Sequence, residues 1–203
     1  MPATTALTAD NIVIGGTGHI FTAPSGTTLP TTIGGLTAAT SGSDLDSAFV
    51  DLGYTDPSGV SFRNTRAITD IMGWQSFYPL RKVVDTVSQI LSFSLMQFDL
   101  QTVPVAFGGG AVEAISGGGG FKYVPPGPEE FDELTAVVDI FDGDIKHRIV
   151  IDRCIVQGDV ETNFTRTAAG MLPIELASLA PTTGTDAWNW ISNAPGFGHV
   201  SSA

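Results

Sequence analysis

Between Lys82 and Gln97 the chain carries the run that most restricts its fold. From Thr86 onward, Val87, Leu91, Phe93 and Leu95 fall on one side of an extended chain, with Gln89 as the exception. Thr86, Ser88, Ser92 and Ser94 fall on the other side, with Ile90 as the exception. Alternation with a period of two, small hydroxyls opposite aliphatics, predicts a half-buried strand whose second face is polar but uncharged. Val60–Arg66 and Ala67–Trp74 predict short strands before it, although the second shows no clean alternation. Gly73–Leu80 (GWQSFYPL) separates them from the long strand. Trp74, Phe77 and Tyr78 at that tip are too many rings for the core of one small domain. Burial against a neighbouring copy accounts for them better than folding back on their own sheet.

The rest of the chain reads as mostly β with one helix. Ile12–Phe21 offers two short apolar runs around glycines, and residues 23–44 read as an extended arm rich in Thr, Gly, Pro and Ser. Asp99 is a plausible cap for a helix running to Phe107, stopped by Gly108–Gly110, with Pro104 awkwardly placed inside it. Ser116–Gly120 is a glycine loop within a Gly/Pro/acidic stretch over residues 117–133. Leu134–Asp142 and Ile145–Arg153 predict a hairpin, because Asp142-Gly143 is a turn dipeptide whose twist suits antiparallel strands. Val156–Arg166 and Met171–Leu179 predict further strands, and Asp186–Ser192 a last one with Trp188 and Trp190 on one face. At 203 residues the expectation is a single domain, with no repeat of solenoid length.

Composition narrows the function classes. Nine Lys and Arg against 21 Asp and Glu leave a formal charge of −12, which argues against tight nucleic-acid binding. Charged residues are only 15% of the chain, so the surface is sparsely charged and part of it is expected to be buried against copies of itself. The one cysteine, Cys154, forbids an internal disulfide and sits in an apolar run, as a buried inert thiol would. The N-terminus lacks a basic region followed by an apolar core, and no apolar run approaches membrane-spanning length. The expectation is a cytoplasmic chain unless something else carries it out.

No constellation supports an enzyme or a cofactor. Ile12–Gly18 (IVIGGTG) resembles the strand and glycine turn of a dinucleotide site, but Phe21 stands at the third-glycine position and Ala23-Pro24 breaks any following helix. Asp139, Asp142 and Asp144 could offer oxygens to a hard cation, yet no calcium-loop spacing follows. His19, His147 and His199 are scattered without a partner at ligand spacing. Glu129, Glu130, Asp132 and Glu133 read first as a solvated run, or as negative charge on an assembled lumen or rim. No catalytic residue, metal ligand or cofactor is assigned.

Three segments in order carry a resemblance: His19–Thr31 (HIFTAPSGTTLPT), Leu45–Phe62 (LDSAFVDLGYTDPSGVSF) and Ile68–Gly109, with its WQ strand pair, R-x-V-V return strand and closing FGG. Together they resemble the major tail protein, or tail tube protein, of long-tailed non-contractile bacteriophages, especially those of actinobacterial hosts. Ser58 departs from the acidic residue frequent before Gly59, and Pro104 from an ordinary helix. The resemblance implies a β-sandwich with a flanking helix and an extended hairpin over residues 67–97. It further implies six-copy rings whose hairpins close an inner barrel, stacked into a tube through which DNA passes without sequence-specific binding. A tape measure protein, a tail terminator and distal or baseplate tail proteins would be the partners, and assembly would occur in the host cytoplasm. Thr86, Ser88, Ser92 and Ser94 are then the candidate lumen face. Trp74, Gln75, Phe77, Tyr78 and Pro79, with Pro24 and Pro30 of the arm, are the candidate contacts between subunits and rings. The competing reading is a non-enzymatic β-sandwich decoration or receptor- or carbohydrate-binding virion module, using Trp188 and Trp190 for ligand.

Overall fold

The computed structural model describes residues 12–33, 36–182, 184, 186–194 and 197. The described residues form a mainly β fold with antiparallel sheets and one short α-helix, consistent with a β-sandwich. Its strands are β1 (Thr17–Pro24), β2 (Val50–Asp51), β3 (Ser61–Met72), β4 (Pro79–Leu95), β5 (Ala111–Ala114), β6 (Phe121–Val124), β7 (Leu134–Asp142), β8 (Ile145–Gln157), β9 (Leu172–Ser178) and β10 (Trp188–Ser192). Helix α1 (Thr102–Ala106) lies between β4 and β5. His199, and residues 34 and 35 of the expected arm, lie outside the described residues. Where length suggests one domain, contacts divide the chain into two compact units: Met1–Tyr54 with Asp132–Cys154 and Ala180–Ala203, and Thr55–Phe131 with Ile155–Leu179.

In the first unit β1 pairs with β7 along its whole length, β7 turns into β8, and β2 and β10 extend the two sides. The glycine run therefore enters a strand, not a phosphate loop. Gly18 pairs with Ile140, and a Cβ on it would sit 2.8 Å from the Asp139 carbonyl oxygen. The β7–β8 turn is displaced one residue from the expected dipeptide. Asp142 is paired with Ile145, so Gly143 and Asp144 make the turn. Gly143 has φ 59° and no other described residue type takes a positive φ, which fits a turn demanding glycine first and an ordinary residue second.

Residues 25–33 and 36–49 cover this sheet rather than extend from it. Leu29, Leu45 and Phe49 pack on the buried cluster of Phe21, Val137 and Val150. Arg148, fully buried, fastens the cover. Its Nε and Nη2 donate to the two carboxylate oxygens of Asp139 at 2.6 and 2.8 Å, and its Nη1 and Nη2 donate to Asp44 at 2.6 and 3.0 Å. A fifth bond runs from Nη1 to the Thr32 carbonyl at 3.0 Å, and the Ser41 hydroxyl donates to Asp139. All five guanidinium donors are used. Burial alone would lower the Arg148 pKa, but the hydrogen bonds to Asp139 and Asp44 outweigh it and hold the group above its ordinary value. Asp139 is thus consumed by an ion pair, which removes it from any cation site.

In the second unit β4 pairs with β3 on one side and with β9 on the other, the latter only over Ile90–Leu95. There Leu91, Phe93 and Leu95 are buried beside Leu172, Ile174 and Leu176. Helix α1 is shorter than the expected Asp99–Phe107 because capping uses the first residues. Asp99 Oδ1 accepts the N–H groups of Gln101 and Thr102, and the Asp99 N–H donates to the Thr102 hydroxyl oxygen. Pro104 falls in the first turn of α1, just after the bond from the Val103 N–H to the Asp99 carbonyl, and its missing amide hydrogen interrupts the i→i−4 series there. The stretch over residues 117–133 is not all loop. Gly117 and Gly118, with φ 94° and 79°, reverse the chain so that β6 pairs with β5. The strand expected over Val156–Arg166 stops at Gln157, where Gly158 turns the backbone to φ 85°.

Candidate assembly surface

The β3–β4 hairpin spans Ser61–Met72 and Pro79–Leu95, beginning six residues earlier than the sequence reading of 67–97. The alternation in β3 is unreadable for a physical reason. Every residue of β3 is exposed except Phe62, so neither face is selected to be apolar. In β4 the burial pattern changes at one point. Gln89, Leu91, Phe93 and Leu95 are buried on one face, whereas Pro79–Val87 are exposed on both. Register shifts occur between Ala67 and Ile68 and between Ile71 and Met72. The first leaves Asp85 as an extra residue in β4, where its carboxylate accepts the Thr69 hydroxyl. This is why clean alternation in the sequence begins only at Thr86.

Beyond the β9 pairing, nine residue pairs therefore form a two-stranded ribbon roughly 30 Å long. Its exposed apolar residues include Ile68, Ile71, Met72, Leu80, Val84 and Val87. A two-stranded ribbon without a covered face is marginal in water, and its outer edges offer unpaired backbone groups. Within the ribbon Lys82 pairs with Asp70 at 2.6 Å and Gln89 Nε2 donates to Asn64 at 3.3 Å. Gln89, the exception on the apolar face, is also satisfied at the core boundary, where the Ser178 hydroxyl donates to its Oε1 at 2.5 Å.

The tip is a built turn. Ser76 N–H donates to the Gly73 carbonyl, and the Ser76 hydroxyl donates to the Tyr78 carbonyl while accepting the Tyr78 N–H. Trp74, Phe77 and Tyr78 are 99%, 100% and 80% exposed, so the rings do not fold back on their sheet. Gln75 and Pro79 are exposed beside them. The structure keeps Thr86, Ser88, Ser92 and Ser94 on one face of β4, opposite the buried Leu91, Phe93 and Leu95. Thr86 is exposed and the three serines are half-buried. Pro24 and Pro30 sit elsewhere: Pro24 ends β1 opposite Leu134, and Pro30 is half-buried in the cover of the first unit.

The remaining candidates have structural employment. Cys154 is buried, its thiol donates to the Leu134 carbonyl, and burial pushes its pKa up to about 12. His19 pairs with Asp51 at 2.9 Å. Glu133 pairs with Arg153, whose hydrogen bond holds its carboxyl below the usual range, while Glu130 accepts the Gly127 N–H. Trp190 packs on His147 and Phe197 and donates its indole N–H to His147 Nδ1 at 3.2 Å. Among the described residues no group of three or more His, Cys, Asp or Glu could hold a metal ion, and no helix is long and apolar enough to cross a membrane.

A family model described as phage tail tube protein matches residues 5–201, nearly the whole chain. The chain belongs to the phage tail tube protein family. It is a structural component of a phage tail. A comparison with curated proteins found no match. The family match spans both compact units, including the ribbon and the Arg148 network.

Proposed function

We propose that this tail protein polymerises as stacked six-copy rings, with the β3–β4 ribbons pairing side by side into a continuous inner barrel. The observation that carries the reading is the ribbon itself, exposed on both faces and free along its edges. A neighbouring copy would satisfy those edges and cover the apolar face, and closure of the ring would leave no edge strand. Thr86, Ser88, Ser92 and Ser94 would face the lumen, because the opposite face of β4 is committed to the core from Gln89 to Leu95. Hydroxyls offer DNA no counterion-release gain, so ejected DNA would slide past them. Trp74, Gln75, Phe77, Tyr78 and Pro79 would make contacts between subunits or rings, and the tube would work with a tape measure protein, a tail terminator and distal tail proteins.

The second reading is a non-enzymatic ligand-binding virion module using Trp188 and Trp190. Trp190 spends its indole N–H on His147 and meets Phe197 in a tilted ring contact, which occupies part of its ring. Negative-stain microscopy of the purified protein tests the proposal. Rings or tubes of uniform bore are expected, and deletion of Gln75–Pro79 should leave a folded monomer without them. Tubes from the deletion variant would show that the tip is not needed. A wild-type protein that stays monomeric at high concentration, even with other tail proteins added, would defeat the assembly reading.

A further inference from the structure

The ribbon has a charge pattern that edge pairing and hydroxyls do not explain. Between Ser61 and Leu95 it carries four bases, Arg63, Arg66, Arg81 and Lys82, against Asp70 and Asp85, in a chain of net charge −12. Lys82 is neutralised by Asp70. Among the described residues Arg63, Arg66 and Arg81 make no ion pair or side-chain hydrogen bond. Register puts Arg63 opposite Ile90 and Arg81 opposite Ile71, and both belong to the face that holds Ser88 and Ser92. Two uncompensated guanidiniums thus stand on the face proposed to meet DNA, where they would bind phosphate and hold it.

The same face carries the complementary charge at the base of the ribbon, one row from Arg63 and at the opposite end from Arg81. A shallow groove is lined by Ser58, Ser61, Ser92, Ser94, Asp159 and Glu175, with Glu175 directly opposite Ser92. Glu175 is half-buried, and among the described residues neither it nor Asp159 has an ionic or hydrogen-bonded partner. An unpaired cation on a wall meant to release DNA would hold phosphate, and the groove's carboxylates offer it a partner of opposite charge. Arg81 stands at the far end of the ribbon from that groove, so its charge meets these carboxylates only when one copy meets another.

We propose that Arg63 and Arg81 of one copy pair with Asp159 and Glu175 of a second copy, so that the groove beside β4 is an intersubunit charge socket. The inference rests on the assembly reading and names its electrostatic partner residues. It makes assembly sensitive to salt and makes the hydroxyl face electrically quiet once the tube has formed.

Charge exchange tests it. Arg63→Glu with Arg81→Glu, and separately Asp159→Lys with Glu175→Lys, should each raise the concentration needed for tube formation by at least roughly tenfold. These pairs move the net charge in opposite directions, so a shared defect is not a net-charge effect. The four substitutions together restore opposite charges at every contact and should recover assembly. All lie on exposed or half-exposed side chains, and circular dichroism should show native folds. If a reversal disturbs folding, Arg63→Gln with Arg81→Gln carries the same comparison. Wild-type-like assembly by either reversed pair, or no recovery in the fourfold variant, overturns the socket while leaving the assembly reading intact. Failure of the wild type to form rings or tubes would instead remove the reading on which it rests.

Discussion

Arg148 and Arg63 are both strand arginines of one chain, and they are treated in opposite ways. Arg148 is fully buried, with every donor engaged by Asp139, Asp44 and Thr32. Arg63 stands exposed on a ribbon where it meets no partner among the described residues. The same contrast holds for apolar groups. Phe21, Val137 and Val150 close a core beneath residues 25–33 and 36–49, while Trp74 and Phe77 stand wholly in solvent. The first unit spends its interactions on fixing its own fold. The ribbon withholds them, and a polymerising protein needs both conditions in one chain: a rigid body to set geometry and an unfinished element for the next copy.

The contrast breaks most readily at Arg148. Arg148→Leu should destabilise the protein by about 3–5 kcal/mol, since it strands the Asp139 and Asp44 carboxylates, and chemical denaturation would measure it. A loss below about 1 kcal/mol would mean that the cover over the first unit is held by its apolar contacts alone.

A second experiment sharpens the contrast within one strand and one face. Leu91→Ala should cost about 2–5 kcal/mol, because Leu91 is fully buried. Val87→Ala, four residues earlier and half exposed, should change monomer stability by less than about 0.5 kcal/mol yet impair assembly. Equal stability losses would show that the ribbon is already covered in the monomer. Phe77→Ser extends the logic to the tip, with no change in melting temperature and loss of tubes.

What could be read from the residues follows the same division. Leu91, Phe93 and Leu95 alternate with serines because a core selected one face and not the other, so that end of β4 is legible. The strand Ser61–Met72 is opaque because both of its faces are exposed, and in β4 the extra Asp85 shifts the period before Thr86. The arm looks unstructured by composition, since its anchors Thr32, Ser41 and Asp44 are partnered across more than ninety positions. Asp139 and Arg148 leave a usable signal. Counted outward from the Asp142–Ile145 pair, they fall opposite each other as unlike charges on apolar strands. Taking Asp139, Asp142 and Asp144 together as an oxygen cluster hides that pairing.

Cys154 offers a modest check on how finished the first unit is. With its thiol pushed up to about 12, it should resist alkylation at pH 8 until the protein unfolds. Rapid labelling of native protein would mean that the β7–β8 region opens locally.

The smallest effect comes from the one loose end in the finished unit. His147 is buried on β8, its Nδ1 accepts the Trp190 indole N–H, and its Nε2 has no partner among the described residues. Burial lowers its pKa below the ordinary 6.5, with Asp142 pulling weakly the other way. A histidine depressed in the folded state binds its proton more readily once unfolded. Its contribution is therefore fully present above about pH 6.5 and is lost as the pH falls below that value. Protonation at Nδ1 would also remove the acceptor that holds Trp190, so strand β10 should loosen first. Melting temperatures between pH 7.5 and 5.5 should fall for the wild type and fall less for His147→Gln, whose amide oxygen still accepts a hydrogen bond. Parallel curves would assign the acid sensitivity to the carboxylates instead, and the buried histidine would then be as settled as Arg148.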